Sequence, residues 1–387
     1  MNCIPQEFLR MGGTLAELTL KYGINVKRHG TYPNLVQLKY GKADCDFSEP
    51  IICQSRGLIL DEYNNWSMVA RPMDKFFNAH EPQAATIDWN SATVLEKLDG
   101  SLMILYYYKD INGVGNWHVA TSGLPDASGE VNGSGWTFRE LFWSVWKEMG
   151  YNLPGSYQQY FTFMFEMTTP YNQVVVKHKD CSLRLIAIRN CVTGDEMAVR
   201  NHSFHYERVK AFHELGSGLD SITRSFDLMD PTIQEGYVVV DKFFNRVKVK
   251  HPDYVALHHL RSSLTPMGIL DVVQRGESTE VLSAFPEWKG CFEQVQAAYD
   301  GLLMHLTSEY NALKDIPLGD DPEEKRMFQK MFAQKAIKSI GSGVLFALRQ
   351  GHVSSVKDGL VEMRLEKLGE ILRVKDIKLE LEYGKVA

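Results

Sequence analysis

The stretch Lys97-Leu98-Asp99-Gly100 contains the residue types that covalent nucleotide transfer requires. A lysine amine that has lost its proton can attack the α-phosphate of a nucleotide and hold that nucleotide as a lysyl phosphoramidate. The glycine permits a tight turn that leaves the lysine uncrowded. Asp-Gly is also a common hairpin turn, so the four residues alone leave a nucleophile and a simple turn as alternatives.

Two lysines further along the chain have the charge that such a nucleophile needs. Lys248 and Lys250 are two residues apart on a strand-like segment, so their side chains share one face. Two ammonium groups near Lys97 would make its amine less basic and would neutralise charge that builds on the α-phosphate. Taken alone, Lys-Val-Lys is more typical of a solvated strand face.

Two glutamates are candidate ligands for the nucleotide and a metal. Glu166 lies in the apolar run 161–167, where a carboxylate is costly to bury unless it is paired. It fits an acceptor for a ribose hydroxyl, or a solvent-facing position, since the phenylalanines of that run share the other face. Glu235 fits a direct or water-mediated ligand of Mg²⁺, which takes one or two carboxylates plus substrate phosphates. The alternative for Glu235 is a loop acid before a buried strand.

Arg56 and Lys75 are further cations that can bind a triphosphate or a terminal nucleic-acid phosphate. Phe77 fits either a contact with the base or ribose of a nucleotide or a place in the hydrophobic core.

The elements that must position these residues are mostly short strands. They are rich in β-branched and aromatic residues, with turn residues between them. We predict strands at residues 35–40, 57–60, 102–108, 117–121, 161–167, 174–178, 183–188, 237–240 and 246–250. Helical insertions are predicted at residues 137–149 and around 206–215. Many short strands with few long helices indicate antiparallel sheets.

After Tyr254 the spacing of apolar residues becomes helical. Asp321 is a predicted helix cap, followed by proline and two acids. The predicted buried stripe of that helix is Phe328, Phe332, Ala336 and Ile340, with Gly341 at its end. A second helix is predicted at 360–374. The fold class is therefore α+β, with an antiparallel-sheet domain at 1–257 and an all-α domain at 258–387.

The composition is that of an ordinary globular protein, with 44% hydrophobic and 23% charged residues. The net charge of −6 counts against an extensive nucleic-acid surface, because such domains usually have a basic excess. Six scattered cysteines indicate reduced thiols and a cytoplasmic location. We expect no signal peptide and no membrane-spanning segment.

Taken in order, the sequence blocks resemble the ATP-dependent RNA ligase 1 family of tailed phages. The resemblance covers residues 40–257. The matching blocks are Arg56-Gly57, Arg71-Pro72, Lys75-Phe76-Phe77-Asn78, Lys97-x-Asp99-Gly100-Ser101, Phe165-Glu166, Pro170-x-Asn172, Glu235-Gly236-Tyr237 and Lys248-x-Lys250.

The resemblance implies an adenylyltransferase domain and a helical RNA-specificity module. It implies ATP and Mg²⁺, with Mn²⁺ able to substitute, and RNA with 5′-phosphate and 3′-hydroxyl ends, such as cleaved tRNA. We expect a monomer in the cytoplasm, which is the host cytoplasm if a phage encodes the chain. The implied ATP-binding residues are Tyr40, Arg56, Lys75, Phe77, Lys97, Glu166, Lys248 and Lys250, with Glu235 on the metal and Tyr254 in RNA ligation. Ser122 stands where the family has a lysine, and a C-terminal metal-binding acid aligns only loosely, near Thr279 and Glu280.

Three other functions share parts of this pattern. A DNA ligase or an mRNA capping guanylyltransferase would carry the lysine motif, but usually with an OB-fold after the catalytic domain. An inactive RNA-binding protein would be expected to have lost the lysine or the acids, and all of them are present. In the helical tail, Arg326, Lys330 and Lys338 fit either contacts with RNA phosphates or a solvated helix face.

Overall fold

The computed structural model describes residues 3–41, 45–199, 205–215 and 218–377. The chain divides into two units, Met1–Ala256 and Leu257–Ala387. The first unit combines strands with helices, and the described part of the second contains helices and no strand. The predicted α+β class with antiparallel sheets and a helical C-terminal region is confirmed. No helix in the described ranges is long and apolar enough to cross a membrane.

The first unit contains three sheets, and every strand pairing except that of β5 with β13 is antiparallel. Their strands, in order across each sheet, are as follows. The first sheet has β1 (Ile24–Arg28), β2 (Leu35–Tyr40), β3 (Arg56–Asp61) and β4 (Ser67–Ala70). The second sheet has β11 (Glu196–Met197), β10 (Ser182–Asn190), β9 (Phe161–Thr168), β7 (Ser101–Lys109) and β8 (Gly115–Thr121). The third sheet has β5 (Phe77–Asn78), β13 (Arg246–Lys250), β12 (Gly236–Val240) and β6 (Thr93–Lys97).

Five of the described helices begin with a side chain that caps their first N–H groups. In chain order the helices are α1 (Ile4–Arg10), α2 (Leu15–Tyr22), α3 (Pro50–Gln54), α4 (Phe138–Glu148), α5 (Leu219–Ser225), α6 (Pro252–Ser263), α7 (Pro266–Arg275), α8 (Ser278–Ala284), α9 (Lys289–Leu313), α10 (Pro322–Ala336), α11 (Ser342–Arg349), α12 (Val356–Val361) and α13 (Leu365–Ile371). The prediction of α4 is confirmed, and its capping box joins Thr137 to Glu140.

Alternation along β9 divides its side chains between a core and the opposite face. Phe163 and Phe165 are fully buried, and Phe165 packs against Phe142 and Trp146 of α4. The packing therefore holds one face of β9 and leaves Glu166 on the other, as the period of two requires.

Residues 207–212 form a bridging segment between two sheets, where the sequence predicted a helical insertion. The N–H of Leu185 in β10 donates to the carbonyl of Glu207, and the N–H of Phe212 donates to Val94 in β6. The helical prediction is wrong over these residues, because their backbone groups bond to strands on either side; only a short 3-10 turn follows, at His213–Leu215.

The strand predicted at residues 174–178 is also absent. The N–H groups of Val175 and Val176 both donate to the carboxylate of Asp99, at 2.7 Å. A side chain distant in sequence has thus taken the donors that a strand ladder would use, which the β-branched pattern cannot reveal.

The second unit has its own hydrophobic core. Asp321 caps α10 as predicted, accepting bonds from the N–H groups of Glu323 and Glu324. The predicted stripe holds for Phe332 and Ala336, but α10 ends at Ala336, so Ile340 is 62% exposed.

The single helix predicted at 360–374 is replaced by α12 and α13. The side-chain amide of the buried Gln274 donates to the carbonyls of Leu360, Val361 and Met363, which lie at and just beyond the end of α12. These carbonyls would otherwise need partners in the next helical turn, so Gln274 stabilises the break.

Candidate active site

Lys97 is the last residue of β6, and the third sheet sets its neighbours. In the register of that sheet, Gly236 pairs with Lys97 on one side and with Lys250 on the other. Two residues along each strand, on the same face of the sheet, the row consists of Leu95, Val238 and Lys248. The sheet therefore brings the three predicted lysines together at one end of neighbouring strands.

Glu235 holds two of these lysines. Its carboxylate lies 2.6 Å from Lys97 Nζ and 2.8 Å from Lys250 Nζ, and it is only 3% exposed. The sequence predicted that Lys248 and Lys250 would act on Lys97, whereas the structure pairs Lys97 with a buried carboxylate. The ion pair holds the candidate nucleophile in place, and it would have to separate before the amine could attack.

Lys248 is the lysine of the site whose charged form is made unfavourable by burial. Burial, followed by the neighbouring charges of Arg56 and Lys97, lowers the pKa of Lys248 to about 7. Its Nζ lies 4.8 Å from the centre of the Phe76 ring, and it makes no ion pair among the described residues. Around neutral pH this lysine is therefore only partly charged, and an anion placed beside it would restore the ammonium.

Glu166 faces the same pocket from β9. Burial raises the pKa of Glu166 to about 7, and the nearby Lys97 ammonium opposes that rise. Its carboxylate makes no hydrogen bond or ion pair to another described residue. An acid held in this state is available to a hydroxyl donor or a cation.

Charged and apolar side chains together line the pocket around Lys97. The cavity is about 290 Å³. Arg56, Lys97, Glu166, Lys248 and Lys250 line it, as the sequence predicted that they would meet. The apolar lining is Met73, Phe76, Leu95, Leu98, Leu102, Ile186, Val209 and Val238. Such a pocket suits a ligand with a flat apolar part and an anionic part.

Asp99 does not face this pocket, because it anchors the loop that follows Lys97. Besides the N–H groups of Val175 and Val176, its carboxylate accepts a 2.7 Å bond from the hydroxyl of Tyr254. His178 Nε2 lies 2.8 Å from its carbonyl oxygen. Asp99 is 4% exposed, so its bonds hold the nucleophile loop in place.

Tyr254 is buried beneath the site. It is 1% exposed, its ring lies 5.4 Å from Lys250 Nζ, and burial raises its pKa, which keeps the hydroxyl protonated. The structure thus connects Tyr254 to the nucleophile through Asp99 and Lys250.

Gly100 is required by close approach rather than by a special backbone angle. A Cβ on Gly100 would collide with the carbonyl oxygen of Met167 and lie 2.9 Å from Thr168 Cγ2. The sequence attributed this glycine to a tight turn beside the nucleotide, but its observed role is to let the loop pack against β9.

Tyr40, Lys75 and Phe77 gather in a separate aromatic cage. Lys75 Nζ lies 5.2 Å from the ring of Tyr40, 4.8 Å from that of Phe77 and 4.3 Å from that of Phe47. Burial lowers the pKa of Lys75. None of these four residues lines the pocket around Lys97, so the structure places them beside that pocket rather than in it.

Comparison with known proteins identifies the family. A family model described as RNA ligase matches residues 54–254, which is just over half of the chain. The chain belongs to the RNA ligase family. All the residues of the pocket lie within the matched range, as do Asp99 and Tyr254.

Two curated relatives of this RNA ligase family member are similar in sequence. An RNA ligase of Rhodothermus phage RM378 is 24% identical, over 90% of this chain and 92% of its own length. A putative bifunctional polynucleotide kinase/RNA ligase of Autographa californica nuclear polyhedrosis virus is 28% identical over 73% of this chain, which spans 42% of that protein. An archaeal ATP-dependent RNA ligase structure has 13% identity and a TM-score of 0.44, over 87% of this chain and 82% of that one.

Sequence reasoning missed two aromatic residues of this family member. Phe76, rather than Phe77, reaches the pocket, where the Arg56 guanidinium lies 5.6 Å from its ring on one side of the site. Phe47 completes the cage around Lys75. Because side chains alternate along a strand, Phe76 and Phe77 could be expected on opposite faces. The two residues of β5 are too few for the sequence to indicate which of the two phenylalanines faces the pocket.

The departures from the family pattern lie in two places. Ser122 follows β8, and Lys39 Nζ would lie 3.0 Å from a Cβ built on the adjacent Gly123, so another cation lies beside that turn. Thr279 and Glu280 are in α8 of the second unit. In the described part of the chain, no group of three or more His, Cys, Asp or Glu side chains is placed to hold a metal ion.

Proposed function

We propose that this protein is an ATP-dependent RNA ligase that joins a 5′-phosphate to a 3′-hydroxyl through a lysyl-AMP intermediate. The observation that carries the proposal is the placement of Lys97 in one pocket with Lys248, Lys250 and Arg56, held by Glu235. A nucleophilic amine surrounded by cations and an apolar wall is what nucleotidyl transfer requires.

The reaction proceeds in three transfers. The Lys97 amine forms a bond to the α-phosphorus of ATP, its proton is lost, and diphosphate leaves. An oxygen of the RNA 5′-phosphate then attacks the AMP phosphorus, and the lysine leaves to give an RNA-adenylate. The 3′-hydroxyl finally attacks the activated RNA phosphate, so that a phosphodiester forms and AMP leaves.

The protein contributes mainly position and charge. Lys248 gains its proton as phosphate enters, because an anion favours the ammonium form that burial opposes. Arg56 and Lys250 neutralise the remaining phosphate charge. Ile186 and Val238 line the pocket where a base can lie. Asp99 and Tyr254 keep the nucleophile loop in place during all three transfers.

The carboxylates of Glu235 and Glu166 fit a divalent cation. Oxygen donors suit Mg²⁺ or Mn²⁺, and burial raises the pKa of Glu166 to about 7 although the charges of Lys97 and Arg56 oppose the rise. When bound, such an ion supplies positive charge at the phosphates. Engagement of Glu235 elsewhere would also release Lys97 from its ion pair, which is the change that nucleophilic attack requires.

Residues outside the pocket around Lys97 have supporting roles in the proposed reaction. Lys75, with Tyr40 and Phe77 around it, binds the terminal phosphates of ATP. Residues 1–257 form the adenylyltransferase domain, and 258–387 select the RNA, with the exposed Arg326, Lys330 and Lys338 available to phosphate. We infer a monomer that acts in the cytoplasm on cleaved tRNA; the resemblance to the RNA ligases of tailed phages supports this substrate.

Intact mass after incubation with ATP and Mg²⁺ tests the proposal. The unaltered chain should gain the mass of one AMP, and Lys97→Ala should gain none while still sealing pre-adenylylated RNA. Lys109→Met, which alters an exposed lysine at the end of β7, is the matched control. An adduct on Lys97→Ala would show that another residue is the nucleophile.

Intact mass, together with a sealing assay on nicked duplex DNA, separates the rival functions. An adduct formed with GTP instead of ATP would favour a capping enzyme, and efficient sealing of nicked duplex DNA would favour a DNA ligase. Failure of the unaltered chain to form any adduct, after diphosphate has removed AMP already bound, would favour an inactive RNA-binding protein.

A further inference from the structure

A second groove adjoins the candidate active site. It has a volume of about 520 Å³, enough for a nucleotide, and it shares Met73, Phe76 and Arg246 with the pocket around Lys97. Lys75 and Phe243 also line it. We call it the aromatic groove, because Phe76, Phe77, Phe243 and Phe244 all contribute to its surface.

Phe243 is the unusual residue of this groove. The chain has 19 phenylalanines, and in the described ranges Phe243 is the only exposed one, at 65%. It lies in the turn between β12 and β13, the two strands that carry Gly236, Lys248 and Lys250. A single exposed apolar side chain is common on protein surfaces; what distinguishes Phe243 is that its ring lines a groove together with three other phenylalanines, next to the candidate active site.

The turn that presents Phe243 is held rigidly. The Asp241 carboxylate accepts bonds from the N–H groups of Phe243, Asn245 and Asp88, and from the side-chain amide of Asn245. Phe244 has φ +64°, a left-handed conformation that is strained for a bulky residue. Strain held by such a network commonly marks a functional site, and a fixed ring loses little entropy when a ligand stacks on it.

Ion pairs account for most of the charge that lines the aromatic groove. Asp74 is paired with Arg189 at 2.7 Å, and Glu196 is paired with Arg246, so both acids are neutralised. Asp195 is the other acid on the surface.

Lys75 is the lysine that lines the aromatic groove. It makes no ion pair among the described residues, and its ammonium group is surrounded by aromatic rings. Lys242 does not line the groove; its Nζ lies 4.8 Å from the ring of Phe243 and is paired with Asp88 at 3.3 Å.

We propose that the aromatic groove binds single-stranded RNA next to the joint, with one base stacked on Phe243 and, once diphosphate has left, a backbone phosphate near Lys75. Stacking on an exposed ring beside cations is how proteins hold unpaired nucleotides without reading their sequence. This inference rests on the proposed function, since it supplies the RNA site that the pocket around Lys97 lacks.

Photo-crosslinking tests the contact directly. RNAs carry 5-iodouridine either as the first nucleotide of a 5′-phosphorylated donor or as the last nucleotide of an acceptor, and mass spectrometry maps the crosslinked residue. A crosslink at Phe243 from either RNA supports the proposal, and the two arms show which strand occupies the groove. Crosslinks that map only to other residues would overturn it.

Sealing of pre-adenylylated RNA provides the quantitative test. Phe243→Ala should raise the KM for RNA by about fivefold to a hundredfold, because a lost base stack is worth that much, and Phe243→Trp should restore it. Tyr157→Ala is the matched control, since Tyr157 is 90% exposed and lies outside the groove. A KM within about twofold of the parent in Phe243→Ala would contradict the proposal.

The two proposals fail in different ways. Loss of lysyl-AMP formation in the unaltered chain would defeat the proposed function, whereas the crosslink at Phe243 reports on RNA in the groove without any catalysis.

Discussion

The charged residues around Lys97 comprise one close ion pair and two buried groups with shifted pKa values. Lys97 Nζ lies 2.6 Å from the Glu235 carboxylate. Burial lowers the pKa of Lys248 and raises that of Glu166, in both cases to about 7. The charged forms of Lys248 and Glu166 are thus unfavourable in the structure as it stands. A bound polyanion would stabilise the Lys248 ammonium, and its accompanying cation would stabilise the Glu166 carboxylate. Preorganised sites of this kind stabilise a transition state without reorganising when the reaction occurs.

The depressed pKa of Lys248 predicts a pH-dependent effect on stability. Between about 7, its folded-state pKa, and 10.5, its ordinary value, the unfolded chain binds more protons, so the free energy of unfolding rises with pH. Lys248→Met removes the penalty paid by the buried ammonium. We expect the variant to be more stable than the parent below pH 7, with the gain shrinking as pH rises toward 10.5.

Urea denaturation at a pH of about 6 and about 9 measures this effect. Lys109→Met replaces an exposed lysine and should show no such change between the two conditions. A gain for Lys248→Met that is equal at both pH values would mean that Lys248 is charged throughout.

Among the elements, the third sheet does most to assemble the site. Its register sets Lys97, Gly236 and Lys250 in one row, and Leu95, Val238 and Lys248 in the row two residues along on the same face. The bridging segment 207–212 ties β6 to β10, and its Val209 forms part of the pocket wall. The positions of the lysines therefore depend on strand pairing more than on contacts between their own side chains.

Gly236 is the position at which this register is most sensitive. Its φ is +144°, and a Cβ there would collide with the carbonyl oxygen of Val249 and lie 2.8 Å from Lys250 Cα. Gly236→Ala should lower the free energy of unfolding by about 1–3 kcal/mol and should impair lysyl-AMP formation, because Lys250 must shift. Chemical denaturation and intact mass measure the two effects.

Gly133 provides the control for this substitution. It also has a positive φ, +72°, but nothing lies within 4 Å of a Cβ built there. Gly133→Ala should therefore lower the free energy of unfolding only by the cost of placing a non-glycine residue at positive φ, with no steric collision. Equal losses of stability in the two variants would show that the packing around Gly236 adjusts freely.

For the whole molecule, the two units have separate hydrophobic cores. Every residue assigned to the pocket lies in Met1–Ala256, whereas the core around Phe332 lies in Leu257–Ala387. Phe332 is 1% exposed, and its ring packs 5.5 Å from that of Phe346. The chemistry of lysine adenylylation and the stability of the helical unit are thus expected to respond to different substitutions.

Phe332→Ala tests this separation. Loss of a buried ring should destabilise the helical unit by about 3–5 kcal/mol, seen as faster hydrogen exchange in α10 and α11. Lysyl-AMP formation should persist, because no pocket residue is altered. Met331→Ala, at a 40% exposed position of the same helix, should leave exchange nearly unchanged. Loss of the AMP adduct in Phe332→Ala would show that the adenylylation site depends on the helical unit.

The sequence by itself determined the local elements and the type of chemistry. Alternation gave the strands that carry Glu166, Lys248 and Lys250, and the cap at Asp321 gave the start of α10. Both signals act between residues close in the chain, where side-chain period and orphan N–H groups have clear residue preferences. The residue types made Lys97, Glu166, Lys248 and Lys250 candidates, and the family resemblance, rather than the types alone, assigned them to one site.

Only the tertiary structure decided which partners these residues take. Asp99 removes residues 174–178 from strand pairing, and Glu235 binds the nucleophile that neighbouring lysines were expected to activate. The partners of the bridging segment and of Lys75 are likewise distant in the chain. Burial and charge pairing depend on distances in space, and those distances are set by how the sheets pack rather than by the spacing of residues along the chain.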